Sequence, residues 1–481
     1  MTGPSARDTA LAAIERELAA TPDAVEPRFR RAGLLASLGR VEEAKQDYLA
    51  VLARAPTHFG ALNDFATLLH AEGYRSAART LYAEAVVRHP ANPVAHVNLA
   101  NLLFEDGAFD AARRHYAMAL VHEPGLAAAH QGMAHVLDEL GEAPDEAERH
   151  RAKGFRDRPV MALPFRGAGE GIPVLRLVSA RGGDVPTRGL IDDALFRGWA
   201  VVPEFCPDDA VLPPHRLVFN AIGDADRAGP SLDAAAAFVA RCAAPVINPP
   251  ERVRATARLA NARRLGALPG VIAPRMAMVA REALAAPGAP ALLAREGLGF
   301  PLLLRSPGFH TGRHFARVES ASDLAQAVAS LPGAALAAIE FLDSTAGDGL
   351  ARKYRVMMID GALYPLHLAI SPGWKVHYFT SAMANEPAHR AEEALFLSDM
   401  TGALGAGAVA ALERIRDALG LDYAGVDFGL TRQGEVLLFE ANATMVVNPP
   451  EPDPIWDYRR APVARILDAC RAMLLRRAGI A

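Results

Sequence analysis

A period of 34 residues dominates the first third of the chain and restricts the fold that this part can adopt. Residues of one type return at this interval, as in the series Gly39, Gly73, Gly107 and Gly141, Pro22, Pro56, Pro90 and Pro124, Tyr48, Tyr82 and Tyr116, and Ala32, Ala66, Ala100 and Ala134. Small residues at fixed positions let paired helices approach closely, glycine allows the turn between them, and proline ends the second helix. The period therefore predicts an array of stacked helical hairpins.

This spacing, with Ala and Gly in the first helix, Tyr in the second and Pro at its end, resembles the tetratricopeptide repeat. We predict an all-α solenoid over residues 8–156, with a leading half-repeat at 8–26 and four repeats after it. The resemblance implies a concave face that binds a peptide or protein segment. Polar residues on the predicted first helices, which either line that groove or are merely exposed, are Asn63, Asn98, Asn101 and His130.

A linker rich in Pro and Gly is predicted at residues 157–171, where the repeat pattern stops. Residues 172–250 then alternate short apolar runs, such as 174–178 and 217–220, with helical segments. Residues 190–197 are predicted as one of these helices. The alternation predicts a small parallel α/β lobe of the Rossmann-like kind.

Two predicted strands near the C-terminus, joined by a turn at Gln433 and Gly434, bring acidic side chains together. Because side chains alternate along a strand, Glu440 and Asn442 point the same way. A turn centred on Gln433 and Gly434 places Asp427 directly opposite Glu440. Adjacent carboxylates repel unless a cation lies between them, and oxygen ligands of this kind suit Mg²⁺. A surface hairpin with solvated acids is the alternative.

The motif Val-Asp-Phe at 426–428, followed by Glu-Ala-Asn at 440–442, resembles the metal-binding end of the ATP-grasp superfamily. That superfamily includes D-alanine–D-alanine ligases and ribosomal-protein glutamate ligases. The resemblance implies an α/β plus α+β ATP-grasp module over residues 251–481, preceded by the small lobe at 172–250. It also implies ATP and Mg²⁺ as cofactors, with the metal held by Asp427, Glu440 and Asn442.

Residues 251–340 resemble the nucleotide-binding half of that module. Arg258 opens a predicted helix and Arg305 ends a predicted strand, where many family members have a phosphate-binding Lys. Arg keeps the positive charge and can bind phosphate through two hydrogen bonds. A glycine-containing loop after Arg305 would close over phosphates, and a Glu-aromatic-aliphatic segment would meet adenine. The implied ATP-binding residues are Arg258, Arg305, His310, Thr311, Gly312, Glu340, Phe341 and Leu342.

The stretch 353–380 is predicted to face the substrate. A hairpin presents Arg355, which matches the arginine of the family's Asp-x-Arg motif, although Lys353 replaces the Asp. The opposing strand and the polar, aromatic loop after it contribute His367 and Lys375, which we predict to orient an acceptor or an acyl phosphate. A His within an apolar strand is equally consistent with a hydrogen-bonded core residue.

Composition limits the partners and the compartment. The chain of 481 residues has a net charge of −4 and no dense block of Lys and Arg, which argues against a nucleic-acid partner. Its N-terminus lacks the pattern of a secretory signal, and no uncharged apolar run reaches the ~18 residues of a membrane span. Three widely spaced cysteines predict reduced thiols rather than a disulfide framework. These features predict a cytoplasmic protein without a membrane partner.

The sequence thus predicts a multidomain protein in which a solenoid recruits a peptide or protein to an ATP-dependent carboxylate–amine ligase. A carboxylate of a small molecule or peptide would be phosphorylated, and an amine would attack the acyl phosphate, with ATP converted to ADP and phosphate. Two alternatives stay open. One is a nucleotide-binding scaffold without turnover, favoured by the Lys-to-Arg replacements, and the other is a kinase on the same fold.

Overall fold

The computed structural model describes residues 6–167, 169–187, 189–309, 313–376, 378, 381–451 and 453–480, without the side chains of Ala6 and Asp8. Contacts divide the chain into two compact units. The first comprises Met1–Arg158 with Pro164–Gly171, and the second comprises Pro159–Leu163 with Ile172–Ala481. Within the residues described, no helix is long and apolar enough to cross a membrane.

The first unit, called the repeat unit here, contains nine α-helices in its described residues. Their bounds are α1 Ala6–Ala20, α2 Val25–Ser37, α3 Val41–Arg54, α4 Phe59–Ala71, α5 Arg75–Arg88, α6 Pro93–Glu105, α7 Phe109–His122, α8 Ala127–Leu140 and α9 Pro144–Phe155. Helices α2 to α9 pack as four successive pairs, α2 with α3 through α8 with α9. The predicted helical repeats are confirmed, and they resemble tetratricopeptide repeats.

Packing explains the 34-residue period. The recurring alanines, Ala32, Ala66, Ala100 and Ala134, are fully buried between helices. The recurring glycines follow the first helix of each pair with φ between 69° and 87°, a left-handed conformation that costs glycine little. Each repeat therefore turns at the same point and presents the same small residue to its neighbour.

Polar side chains also join the helices. The Asn98 amide donates to Oδ1 of Asn63 at 2.6 Å, which connects the first helices of neighbouring pairs. Asn101 accepts a hydrogen bond from the Tyr116 hydroxyl at 2.6 Å. His130, predicted above either to line the groove or to be merely exposed, is instead buried, and its ring packs against His150 of α9.

Two histidine pairs recur in the last two repeats. The Nδ1 atoms of His96 and His115 lie 3.0 Å apart, and those of His130 and His150 lie 2.7 Å apart. Nε2 of both His96 and His130 lies 2.9 Å from the carbonyl oxygen of the proline six residues earlier. Because Nε2–H donates to that carbonyl, Nδ1 of the same neutral ring accepts from its partner histidine.

We expect the repeat unit to lose stability as the pH falls below about 6.5. Burial lowers the pKa of His115, His130 and His150 below the ordinary value of 6.5. The unfolded chain then binds protons more readily than the folded chain, so stability is complete above pH 6.5 and decreases below it. Thermal unfolding followed by circular dichroism should show a smaller pH effect in the His115→Asn/His150→Asn variant. An unchanged pH effect would contradict this explanation, and His215→Asn in the second unit is the control.

The second unit, called the α/β unit, begins with a five-stranded sheet of order β1-β3-β2-β4-β5. Its strands are parallel except β1, which pairs antiparallel with β3. The bounds are β1 Val160–Ala162, β2 Ile172–Leu177, β3 Phe196–Val201, β4 Leu217–Asn220 and β5 Val246–Ile247, with helix α10 Gly229–Val239. The predicted small parallel α/β layer is therefore present.

Two local predictions fail in this sheet. Residues 190–197 form turns and the start of β3 instead of a helix, because Phe196 and the residues after it pair with β2. Part of the predicted linker, residues 160–162, forms β1, since it covers the otherwise open edge of β3. In both cases pairing with a distant strand outweighs the local pattern.

Two further sheets complete the α/β unit. A four-stranded antiparallel sheet has the order β7-β10-β8-β9, and a five-stranded sheet has the order β12-β11-β13-β14-β6, in which only β6 is parallel to its neighbour. The strand bounds are β6 Val271–Ile272, β7 Met276–Ala280, β8 Leu302–Arg305, β9 Phe315–Val318, β10 Ala335–Glu340, β11 Ala351–Ile359, β12 Ala362–Ser371, β13 Tyr423–Leu430 and β14 Val436–Asn442.

Helices cover these sheets. Their bounds are α11 Pro250–Arg254, α12 Arg258–Leu265, α13 Arg281–Ala285, α14 Ala289–Arg295, α15 Leu324–Ser330, α16 Pro387–Ser398, α17 Met400–Leu404, α18 Ala406–Leu419 and α19 Arg460–Arg477. On one face of the second five-stranded sheet, Val356 and Phe428 pack with Leu412 of α18. On the other face, Met357 and Tyr423 pack with Ile466 of α19 and the first sheet. Burial of both faces fixes the register of its central strands.

Candidate functional site

A cavity of about 920 Å³ is lined by residues from the four-stranded sheet and from the second five-stranded sheet of the α/β unit. Met276, Leu303 and Arg305 reach it from the four-stranded sheet, and strands β11, β12, β13 and β14 form the opposite wall. Residues Gly183 and Asp184, from the loop after β2, also line it. Its size and its mixture of apolar and charged groups suit a small-molecule ligand.

Two β-bulges lie at one level of that wall. Asp427 pairs with Glu440 while Phe428 pairs with Leu438, so Phe439 is an extra residue in β14. Arg355 pairs with His367 while Val356 pairs with Pro365, so β12 has an extra residue at 366. Both extra residues line the cavity. Bulges re-aim neighbouring side chains and are frequent next to functional sites.

Asp427 is buried and held by two cations. Its carboxylate accepts hydrogen bonds from Nε and Nη2 of Arg355 at 2.6 and 2.8 Å, and from Nζ of Lys353 at 3.1 Å. Burial alone would raise the pKa of Asp427, but the charges of Arg355 and Lys353 outweigh it and hold the pKa below its ordinary value. Asp427 therefore stays ionised throughout the physiological pH range.

Glu440 and Asn442 form a second polar group beside this ion pair. Nη2 of Arg258 lies 2.5 Å from Oε1 of Glu440, and the Asn442 amide donates to the same oxygen at 2.8 Å. Oδ1 of Asn442 accepts from the backbone N–H and the hydroxyl of Thr444. The predicted pairing of Asp427 opposite Glu440 is thus present, and Asn442 lies at the same end of the sheet.

Arg305 lies next to Arg258 where this cavity adjoins a second one of about 360 Å³. Burial, together with the charge of Arg258, lowers the pKa of Arg305 to about 10. Its Nη2 donates to the carbonyl oxygen of Phe309. Two guanidinium groups held close together in a mostly buried place repel each other, so an anion between them would be stabilising.

The other end of the cavity is apolar and aromatic. Phe341 contacts Trp374 edge to face, with ring centroids 6.2 Å apart, and Trp374 makes a similar contact with Phe315 at 5.5 Å. The Arg317 guanidinium lies 4.0 Å from the Phe341 ring centroid. Leu342 lines the cavity here as well. A flat aromatic ligand such as a nucleobase would find suitable surfaces at this end.

The Glu340 side chain is turned toward a surface partner. Its carboxylate accepts hydrogen bonds from the Arg275 guanidinium at 2.8 and 3.2 Å and from the Arg275 backbone N–H at 3.0 Å. These bonds lower the pKa of Glu340. The Glu340 carboxylate therefore serves to join β10 to the segment before β7. The predicted loop residues His310, Thr311 and Gly312 lie outside the described residues.

His367 and Lys375 both line the cavity. Burial, and secondarily the charge of Arg355, lowers the pKa of His367 well below 6.5, so its imidazole is neutral at pH 7. Among the residues that the structure describes, its Nδ1 has no hydrogen-bond partner, and its ring lies 4.6 Å from the Tyr378 ring. Lys375 is exposed at the edge of the cavity. A neutral imidazole in this position offers its Nδ1 atom for a hydrogen bond to a ligand.

The side-chain oxygens at this site suit Mg²⁺, but the two carboxylates would have to give up their present cation partners to bind it. Asp427, Glu440 and Asn442 supply the oxygen ligands that magnesium prefers, but Arg258, Lys353 and Arg355 now bind the two carboxylates. In the described part of the chain, no group of three or more His, Cys, Asp or Glu side chains is arranged to hold a metal. A metal that arrived with phosphates would give the displaced cations new partners.

Several residues of this site were not predicted. Lys353 was noted only as a departure from a motif, although it binds Asp427 directly. Met276, Leu303 and Trp456 also line the cavity, at positions that no motif marks. The aromatic richness of residues 371–380 was the one signal that pointed to Trp374 and Tyr378. These residues meet because distant strands pair, which spacing along the sequence does not reveal.

No protein-family model and no curated protein sequence matches the chain. Among solved structures, MamA matches at 20% identity, over 31% of this chain and 86% of that chain, with a TM-score of 0.29. MamA 41-end from Desulfovibrio magneticus RS-1 matches at 20% identity, over 31% and 85%, with a TM-score of 0.29. TTC0263, a thermophilic TPR protein in Thermus thermophilus, matches at 22% identity, over 32% and 84%, with a TM-score of 0.28. Similarity at this level does not bear on the function.

We expect Arg355→Met to lower the free energy of unfolding of the α/β unit by about 3 kcal/mol, because it leaves a buried carboxylate with one cation. The double variant Arg355→Met/Asp427→Asn should lose less free energy of unfolding than the two single variants lose in sum, because the buried charge that needs a partner is then absent. Urea unfolding followed by tryptophan fluorescence measures this, because all three tryptophans belong to the α/β unit.

Arg471→Met is the matched control for that cycle. Arg471 forms an exposed ion pair with Asp192 at 3.2 Å, and its loss should change stability by less than about 1 kcal/mol. If the losses in free energy of unfolding caused by Arg355→Met and by Asp427→Asn simply add in the double variant, the two side chains do not stabilise one another.

Proposed function

We propose that the α/β unit binds Mg-ATP in the large cavity and uses it to join a carboxylate to an amine. The observation that supports this most directly is the cluster of Arg258 with Glu440 and Arg355 with Asp427 in one cavity wall. Positive charge, carboxylate oxygens and an aromatic end in one cavity are the three features that a metal-bound nucleotide requires.

Asp427, Glu440 and Asn442 would hold Mg²⁺. Their present cation partners, Arg258, Lys353 and Arg355, would then pair with phosphate oxygens, so that no buried charge is left without a partner. Arg305 would add a second guanidinium to the phosphates, beside Arg258. The predicted phosphate-binding residues His310, Thr311 and Gly312, which follow Arg305 in the sequence, belong to the same proposal.

The nucleobase would lie at the aromatic end of the cavity, against Phe341 and Leu342 and near Glu340. Each Å² of apolar surface that the base buries there would stabilise binding by about 25 cal/mol. The Arg317 guanidinium already lies over the Phe341 ring at 4.0 Å, which fixes the orientation of that ring. The base end and the phosphate end would thus be recognised by different strands of the two sheets.

Bound Mg-ATP would supply the phosphoryl group that turns a substrate carboxylate into an acyl phosphate, which an amine then attacks with release of phosphate. Arg355 and Lys375 would offset the negative charge that develops during these steps. His367, neutral at pH 7, would accept a hydrogen bond from the attacking amine, whose proton leaves with the released phosphate. The cavity walls would exclude water, which otherwise hydrolyses an acyl phosphate.

The repeat unit would bring the partner. The first helices of its second and third pairs, α4 and α6, are linked by the Asn63–Asn98 hydrogen bond, and Asn101 of α6 is exposed. Asparagine side chains offer both donors and acceptors to the backbone of an extended peptide. We propose a peptide or protein segment as its ligand, which would be the substrate of the α/β unit or carry that substrate.

One observation favours a second candidate function. The Asp427 carboxylate already has two cations within 3.1 Å. Replacing these cations with a metal ion costs free energy, and a nucleotide-binding protein without turnover would not need to make that replacement. A scaffold that binds nucleotide and transfers no phosphoryl group is therefore the second candidate. A kinase on the same fold differs from the ligase only in its product, a stable phosphate ester or phosphoanhydride.

We expect calorimetry to show Mg²⁺-dependent binding of a non-hydrolysable ATP analogue to the full chain. Glu440→Gln/Asn442→Ala should weaken that binding by at least about tenfold, because two metal ligands are lost. Glu435→Gln, an exposed acid on the turn of the same hairpin, is the matched control and should bind normally. Absence of binding to folded protein would eliminate the ligase, the scaffold and the kinase together.

Isotope transfer separates the three functions once binding is established. An acyl phosphate takes one oxygen from the substrate carboxylate, so ¹⁸O from a labelled carboxylate should appear in the released phosphate. We expect this label with any carboxylate–amine pair that releases phosphate. Phosphate release without label would rule out the ligase chemistry. A phosphorylated product that persists would identify a kinase, and the absence of both products would identify the scaffold.

A further inference from the structure

A buried guanidinium outside the predicted motifs lines the same cavity. Arg459 ends the short 3₁₀ helix Pro454–Arg459, and its side chain is only 9% exposed. Its guanidinium carbon lies 4.5 Å from the centroid of the Tyr378 ring and 5.9 Å from that of Trp456. In the part of the chain that the structure describes, Nε of Arg459 has no hydrogen-bond partner. A buried cation whose nearest carboxylate lies outside good hydrogen-bond distance is costly.

The nearest carboxylate only partly offsets that cost. Glu393 is fully buried, and its Oε1 lies 3.5 Å from Nε of Arg459, beyond good hydrogen-bond distance. The same carboxylate accepts hydrogen bonds from the Tyr458 hydroxyl and from the Leu368 backbone N–H, and the Tyr378 hydroxyl is 3.5 Å away. Glu393 is thus shared among four groups, and it offsets only part of the positive charge of Arg459.

We propose that Arg459 binds a carboxylate of the substrate, one that does not itself react, and that Tyr378 and Trp456 hold the apolar or aromatic group attached to it. All three residues line the cavity. Arg pairs with carboxylates through two parallel hydrogen bonds, and the adjacent aromatic surfaces favour a ligand that is not simply a small ion. The inference rests on the proposed function, because it names the substrate class of that same site.

Arg459 would hold the non-reacting carboxylate of the substrate away from the place where the other carboxylate is phosphorylated. Tyr378 contacts both Arg459 and His367, and the ring centroids of Tyr378 and His367 are 4.6 Å apart. His367 in turn lies opposite Arg355 in the strand pairing, next to the cluster that would hold the phosphates. A substrate bound to Arg459 by one end would therefore extend past Tyr378 toward Arg355.

Acidic side chains at the same end of the cavity restrict the ligand further. Asp453 caps the 3₁₀ helix by accepting from the backbone N–H of Ile455 at 3.0 Å, and Glu451 is exposed. Both acids line the cavity. They disfavour a ligand with several negative charges, such as a second polyphosphate, and so favour a single carboxylate with an apolar body.

Phenylacetate and its uncharged analogue phenylacetamide test this inference without nucleotide. Two of the three tryptophans, Trp374 and Trp456, line the cavity, so tryptophan fluorescence reports binding. We expect phenylacetate to change the fluorescence of the full chain and phenylacetamide to bind at least about tenfold more weakly. Arg459→Met should lose the preference for phenylacetate, and Arg459→Lys should retain part of it because the charge stays.

Arg471→Met, an exposed arginine on α19, is the matched control and should bind like the wild type. Calorimetry with the ATP analogue should give the same affinity in Arg459→Met as in the wild type, which shows that the cavity is intact. Equal binding of the two probes to the wild type, or an undiminished preference in folded Arg459→Met, would overturn the inference. Absence of nucleotide binding to the wild type would contradict the proposed function alone and leave the carboxylate result to stand by itself.

Discussion

The ion pair between Arg355 and Asp427 is the interaction on which the α/β unit most depends. Two charged groups taken out of water are stable only with good geometry and further hydrogen bonds, and Lys353 supplies one of these. That geometry requires β11 and β13 to keep one register, which burial of both faces of the sheet enforces. The pair therefore links the packing of the core to the electrostatics of the cavity: a register that satisfied the core but separated the charges would leave a buried carboxylate without a partner.

Periodic and local features of the fold were predictable from the sequence. The 34-residue repeat, the helix at Ala406–Leu419 and the hairpin of β13 and β14 each follow from signals within a few tens of residues. The facing of Asp427 and Glu440 was predicted for a partly wrong reason. The strands pair up to Leu430 and Val436, which centres the turn on Gln433, and only the extra Phe439 brings Asp427 opposite Glu440. Local spacing gave the right pair because a bulge compensated for a turn of different length.

Features that depend on distant contacts were not predictable. Strand β1 forms inside a segment rich in Pro and Gly because β3 offers it an edge, and residues 190–197 do not form a helix because β2 pairs with the chain that follows. Arg459 lies in the cavity because a 3₁₀ helix ends there, which no spacing indicated. The same holds for the candidate site. The motifs predicted its acids and arginines, whereas the hydrogen bonds of Lys353 to Asp427 and of Thr444 to Asn442 are evident only from the structure.

The two bulges have a mechanical consequence for the sheet that forms the cavity wall. They interrupt β12 and β14 at one level, beside Arg355 and Asp427, so a crease runs across neighbouring strands. A sheet bends most readily where its ladder of hydrogen bonds is interrupted. On one side of the crease the sheet ends in Ile359 and Tyr423, and on the other side it holds Lys353 and Val436. Ligands of different length would thus be accommodated by flexing of the sheet itself along this crease.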